Sequence, residues 1–285
     1  MRTLLLATFI LSGLLTHAAD APLFFAFDNG VGRGQWPIAQ QISTLKELGW
    51  GGIGYNYTKA SEMAERRAVC EAQGVKLVSM YFYTYIDKPA LSDDLKLAIT
   101  KLKGSGTILW MTIRKSADKT ANAAIESGAH DEQAVAIVQE VSRLAREAGL
   151  TVSLYHHAGF YVATAAESLR VVRKAREKGC DNVGATVNLC HEIICKQGEK
   201  ILDTIREAGP LINLASINGA DALDVPKGKP VRVLGEGGFD VAGVVKALRA
   251  AGYKGPIGHQ FFNVPGDPRE NLTKAIAEWK TMAKD

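Results

Sequence analysis

The chain has 285 residues, 47% of them hydrophobic and 22% charged, enough for one large core or two small ones. Its formal charge of +4 is small for this length, and Lys and Arg are spread among Asp and Glu, so there is no nucleic-acid footprint. Four cysteines (Cys70, Cys180, Cys190, Cys195) are too few for a disulfide scaffold. Free thiols are the preferred reading, although an oxidising compartment would allow Cys190 to pair with Cys195 or Cys180.

Residues 1–18 read as a secretory signal peptide rather than an uncleaved anchor. Arg2 gives a positive start, residues 4–15 are almost unbrokenly apolar, and small residues follow at Ala18 and Ala19. The run is short for a bilayer span, which takes about 20 residues, and no later stretch matches it. The expectation is a periplasmic or secreted protein with no membrane association after cleavage.

From residue 23 strand and helix signals alternate. A strand over 23–30 ends in Asp28, Asn29 and Gly30, and a helix over 37–48 opens with Pro37 in its first turn. A strand over 51–57 precedes a helix over 60–74, closed by Gly74. A strand over 75–85 and a helix over 92–103 come next, then a strand over 107–114 and a polar loop to 129. Helix 131–149, strand 152–156, helix 165–178, strand 183–189 and helix 199–208 continue the pattern. Strand 211–218, helix 241–251, strand 256–262 and helix 269–284 complete it.

Eight strand–helix pairs with no break in composition argue a parallel sheet in one domain over 23–285. A doubly wound sheet would usually carry a glycine-rich phosphate turn after its first strand; residues 28–35 lack that spacing. The expected fold is therefore α/β, a single (β/α)8 TIM barrel, with its site at the C-terminal ends of the strands.

Those ends are where titratable residues gather. Three of the six histidines (His156, His157, His191) follow the fifth and sixth strands, and His259 follows the eighth. Side chains alternate along a strand, so only one of His156 and His157 should face the site, and the same choice applies to His259 and Gln260. A lone loop histidine is more often structural; several on strand ends shift the balance toward a site. His157 or His191 suits a base working near neutral pH. Asn188, Asn218 and Gln260 would orient hydroxyls, while Arg114 or the glycine-rich loop around Glu236 could stabilise a developing anion. Tyr81, Phe82, Tyr83 and Tyr85 offer either an aromatic wall or core packing.

Leu154-Tyr-His-His157, Asn188-Leu-Cys-His191, residues 216–221, the loop 234–240 and residues 252–260 together resemble the xylose isomerase-like TIM-barrel superfamily of sugar isomerases and epimerases. The resemblance covers nearly all of the chain beyond the leader. It implies a divalent cation held by Glu at the fifth strand, Asp then His at the sixth, and Glu at the eighth. Here Tyr155, Asn188 and Gln260 stand at the acidic positions, while His157 and His191 remain. Losing three carboxylates disfavours a hard cation such as Mg²⁺, so any metal is expected to be held through His157 and His191, with Zn²⁺ or Mn²⁺ as candidates. The expected catalytic residues are His157, His191 and Glu236, with a small carbohydrate bound by Tyr155, Asn188, Asn218, Gln260 and Arg114. The expected function is an exported sugar isomerase, epimerase or lyase-like enzyme. A non-catalytic periplasmic carbohydrate-binding protein is the alternative. A DNA-repair endonuclease, also within the superfamily, lacks support from acidic ligands, a basic face or an intracellular address.

Overall fold

In the computed structural model, which describes residues 22–118, 120 and 125–284, eight parallel strands close on themselves. They are β1 (Phe24–Phe27), β2 (Gly52–Asn56), β3 (Lys76–Tyr85), β4 (Ile108–Arg114), β5 (Thr151–Leu154), β6 (Val183–Asn188), β7 (Ile212–Ile217) and β8 (Ile257–His259). Each pairs with its neighbour in sequence order, and β8 pairs back onto β1. The chain is a single (β/α)8 barrel. The leader predicted over 1–18 lies outside the described residues.

Parallel neighbours need long crossovers, and here helices supply them. Among the described residues these are α1 (Ile38–Leu48), α2 (Ala60–Gln73), α3 (Asp93–Lys101), α4 (Asp131–Glu147), α5 (Ala165–Glu177), α6 (Leu189–Ile194), α7 (Ile201–Ala208), α8 (Val241–Ala250) and α9 (Pro268–Met282). Their ends carry ordinary stop signals. Thr164 and Glu167 form a capping box at α5, and Asp267 caps α9 just ahead of Pro268. None of the described helices is long and apolar enough to cross a membrane. All four cysteines are free thiols.

The barrel separates two apolar layers. Outside it, Phe24 stacks between Trp50 and Trp279, at 4.8 and 4.3 Å between ring centroids. Inside it, Phe25, Phe27, Trp110, Tyr155 and Leu214 form a second cluster. The alternation of side chains along each strand decides which layer a residue joins. Two glycines make the inner layer possible: a Cβ on Gly258 would lie 2.6 Å from the Phe25 ring, and one on Gly54 3.0 Å from Phe25 and Phe27. The interior is thus plugged by aromatic rings, and the open end lies above them.

Candidate functional site at the barrel mouth

The C-terminal strand ends surround a cavity of 760 Å³, within the range of small-molecule sites. Its floor is the inner aromatic cluster. Phe27 stacks on Trp110 at 4.5 Å, Trp110 meets Tyr155 at 4.1 Å, and Tyr81 stands edge-on to both. Trp110 is held in place because its Nε1–H donates to Thr186 Oγ1 at 2.8 Å, and that hydroxyl also meets Ser153 Oγ at 2.7 Å. A flat, fixed, apolar floor with polar groups around it suits the C–H face of a sugar.

The end of β5 sorts its polar residues by direction. Tyr155 continues the inward face, His156 is fully buried on the outward side, and His157 reaches the cavity wall. After β6 the chain turns at once into α6, with Asn188 as its N-cap: Asn188 Oδ1 accepts from the His191 backbone N–H at 3.2 Å. That cap seats His191 in the first turn of α6, on the same wall as His157. The two imidazoles lie 4.0 Å apart between centroids, and His157 also stacks on Phe160 at 4.0 Å.

The backbone of one residue, Ala158, sets the protonation pattern of both rings. Ala158 O lies 2.9 Å from His157 Nδ1, so that nitrogen carries the hydrogen and donates it. Ala158 N–H donates to His191 Nδ1 at 3.4 Å, so that nitrogen carries the lone pair. The remaining nitrogens are complementary: His157 Nε2 is an acceptor and base, and His191 Nε2–H is a donor. Burial lowers the pKa of His157, assisted by the Arg114 charge, and pushes His191 down to about 2. Both rings are therefore neutral near pH 7.

Behind this wall His156 Nδ1 lies 3.2 Å from Thr186 O, and Nε2 lies 3.3 Å from both Asn188 O and Glu192 Oε1. Burial drives both members of the pair toward their uncharged forms, His156 down to about 4 and Glu192 up to about 7. Glu192 also accepts from the first helical N–H of α5, at Ala165. His259 faces outward from β8 and accepts from Leu234 N–H at 2.9 Å, so it anchors the loop before α8 and does not reach the cavity.

The positions expected to carry metal-binding carboxylates are occupied by neutral groups whose oxygens face protein partners. The Tyr155 hydroxyl is buried, its pKa pushed well above the phenol range, and it accepts from Asn188 Nδ2 at 3.4 Å. Asn188 Oδ1 is spent on the α6 cap and on the Cys190 thiol at 3.0 Å. Gln260 Oε1 accepts from Asn29 Nδ2 and from the backbone N–H groups of Phe261 and Phe262. Among the described residues no three His, Cys, Asp or Glu side chains come together as a metal set. Two neutral imidazoles packed at 4.0 Å, with one Nε2 already protonated and no carboxylate beside them, are a poor chelate, so this donor set does not fit the family's cation.

The remaining expected site residues divide. Arg114 reaches the cavity with its guanidinium 3.6 Å from the Tyr83 ring centroid and 4.8 Å from that of Phe160. It also lowers the Tyr81 phenol, which burial pushes up to about 12. Asn188 and Asn218 lie beneath the lining. Asn218 Nδ2 donates to Gly219 O and Pro230 O, both at 2.8 Å, which ties down the excursion after β7 that forms one wall. Glu236 is exposed and belongs to a separate 220 Å³ recess, because the Gly235–Gly238 turn carries it past the rim. Arg33 and Lys229 line the cavity although neither stood out in the sequence; both are on loops, where no periodicity marks direction. Phe27 and Trp110 were legible in principle, since each shares strand parity with a residue facing the mouth.

A family description, Xylose isomerase-like TIM barrel, matches residues 42–281. No match to a curated protein reaches significance. Among solved structures, 3-keto-D-glucoside 4-epimerase YcjR from E. coli is similar at 14% identity and TM-score 0.69, covering 91% of this chain and 99% of that one. D-allulose 3-epimerase from Methylomonas sp., solved in complex with D-allulose, is similar at 15% identity and TM-score 0.70, covering 92% and 97%. A xylose isomerase-like TIM barrel/4-hydroxyphenylpyruvate dioxygenase fusion protein is similar at 15% identity and TM-score 0.68, covering 92% of this chain but 42% of the fusion. At these identities the structural likeness is one of fold.

Proposed function

The chain belongs to the xylose isomerase-like TIM barrel family, and we propose that it is an exported carbohydrate isomerase that moves a proton next to a sugar carbonyl with its own histidines. The observation that carries this is the Ala158 backbone, whose C=O and N–H leave a base at His157 and a hydrogen-bond donor at His191 on one wall. His157 Nε2 takes the proton from the carbon beside the carbonyl. His191 Nε2–H donates to the carbonyl oxygen as it becomes an enediolate, and Arg114 sets a positive charge against the growing anion. The proton then returns to the former carbonyl carbon while the adjacent hydroxyl gives its own proton to the former carbonyl oxygen, so that the carbonyl moves one carbon along.

The placement favours isomerisation over epimerisation. Both histidines stand on the β5–β6 side, whereas Gln260, Asn29 and Asn56 from the β8–β1–β2 side carry no general base. A proton shift along one face needs only one wall; inversion at carbon needs a partner on the other. The substrate class rests on the aromatic floor and on the sugar epimerases whose fold this chain shares. Export rests on the apolar leader, with a periplasmic or secreted destination.

One observation favours a different reading, a protein that binds carbohydrate without turning it over: Tyr155, Asn188 and Gln260 all spend their oxygens within the protein. The test is hydrogen exchange. Aldoses, ketoses and keto-sugars are incubated in D₂O with the mature protein and a chelator, and C–H signals are followed by NMR. Exchange that persists with chelator is the expected result. Sugars that bind measurably yet never exchange would establish the binding-only alternative.

A further inference from the structure

The proton shift described above uses one cation, Arg114, but the cavity presents three. Arg33, from the turn after β1, and Lys229, from the excursion after β7, flank the end of β8, with Arg114 approaching from β4. No Asp or Glu is among the lining residues. The carboxylates nearby are already engaged. Asp28 is buried behind Arg33 and pairs with it, while also accepting from Asn56 N–H at 3.2 Å. Asp221 accepts from Arg232 Nε and Arg232 Nη2 and, of the Lys229 groups, from the backbone N–H. The Lys229 ammonium has no ion-pair partner among the described residues.

A carboxylate-lined mouth would repel an anion, and this one has exchanged its carboxylates for Tyr155, Asn188 and Gln260. What remains is a lining whose charges are Lys229, Arg114 and the Asp28-paired Arg33, over a low-dielectric aromatic floor, an arrangement that favours a ligand of negative charge. The Arg33 guanidinium is oriented by its bond to Asp28, so part of the entropy of fixing its fork is already spent. Neutral hydroxyls need no such array; Asn29, Asn56 and Gln260 already provide for them.

We propose that the cavity takes an anionic sugar, one whose carboxylate or phosphate is met by Arg33 and Lys229 while its ring lies on Trp110 and Tyr155. This rests on the carbohydrate reading of the same cavity but is separable from its catalysis. Two independent loops supply the anion contacts, so specificity for the charged end is set apart from the histidine wall that would carry out chemistry.

The experiment is calorimetric titration of the mature wild-type protein with matched probes: glucose, glucuronate and glucose 6-phosphate, with the corresponding galactose set. Either anionic member should bind at least about tenfold more tightly than the neutral sugar at low salt, with the advantage shrinking as NaCl is raised. The glucuronate and phosphate arms decide which anion is preferred. Lys229→Gln, at an exposed position that leaves the fold intact, should remove most of the advantage without weakening glucose; Arg33→Gln is the second variant. Equal or better binding of the neutral sugars overturns the proposal, as does an anion preference that survives both variants. An anionic sugar that binds tightly but never exchanges hydrogen leaves this inference standing and removes the isomerase reading.

Discussion

Removing either imidazole from the wall separates the two roles that the Ala158 backbone sets. His157→Gln keeps a polar side chain but removes the lone pair at Nε2; His191→Gln removes the fixed donor. A positioned general base is worth about 10²–10⁴ in rate, so His157→Gln should slow exchange by that factor, about 3–5 kcal/mol at 1.36 kcal/mol per tenfold. The structural cost is smaller. His157 is partly exposed and gives up one hydrogen bond and one stacking contact, to Phe160, each worth about 1 kcal/mol. That is a modest fraction of the roughly 5–15 kcal/mol that holds a domain together. The variant should therefore fold, bind sugar and fail to exchange. Because both rings act in one step, the double variant should be little slower than the worse single one.

The pH profile checks the same reasoning from another side. Burial and Arg114 lower the pKa of His157, so its base form persists below the free-imidazole value of about 6.5. Exchange should hold as the pH falls through 6.5 and decline only at lower values. The measurement is the deuterium exchange rate of a bound sugar from pH 4.5 to 8, alongside denaturation curves for each variant. Rates within threefold of wild type in both single variants, with binding unchanged, would refute the assignment. So would an acidic limb centred at or above pH 6.5.

Three further expectations concern the scaffold of the site. Thr186→Val removes the acceptor of the buried Trp110 Nε1–H and should lower stability by about 1–3 kcal/mol in urea denaturation; an unchanged midpoint would show that the indole is satisfied otherwise. Glu192, raised to about 7 by burial, contributes stability that is complete below its unfolded value near 4.5 and is lost as pH rises through 7. Glu192→Gln lacks that loss, so its stability relative to wild type should rise by about 3 kcal/mol between pH 5 and 8, and a difference independent of pH would count against the shift. Gly219→Ala would set a Cβ 2.0 Å from Val233 O, which forces the excursion after β7 to move. Affinity for an anionic sugar should fall about tenfold or more while the barrel stays folded by circular dichroism, because the displaced wall carries Lys229 and its lost contacts are those of a single strongly destabilising substitution.

The architecture was legible because it depends on period alone. Eight alternating runs, each closed by glycine or opened by a cap, force parallel pairing whatever the details of the core. The site was less legible because its geometry turns on local stops. The sixth strand reads as continuing to residue 189, but Asn188 diverts its side chain to cap α6, which removes it from the lining and swings His191 into place. At β8 the hydrogen-bonded strand ends at His259, yet the alternation still holds: His259 points to the helical layer and Gln260 to the cavity. Parity likewise sorts His156 from His157. Glu236 looked promising because glycines surround it, but the positive φ at Gly235 and Gly237 turns the chain away from the mouth. Arg33 and Lys229 were invisible as a pair, because nothing in two loops nearly two hundred positions apart declares that they flank one strand.

The three neutral substitutions also explain one another. A carboxylate at position 260 would stand against Asn29 and two backbone N–H groups; as glutamine it accepts all three without adding charge. An aspartate at 188 could still cap α6, but it would lose the N–H that now reaches the Tyr155 hydroxyl, in a position with no solvent to screen it. A glutamate at 155 would replace a ring packed on Trp110 at 4.1 Å and reopen the barrel's plug. Each neutral residue is therefore fitted to its neighbours as a structural member, and reverting any one of them alone leaves a buried charge without the cation that would justify it. With neutral groups at these three positions, Arg114, Lys229 and the Asp28-paired Arg33 are the charged side chains of the cavity lining.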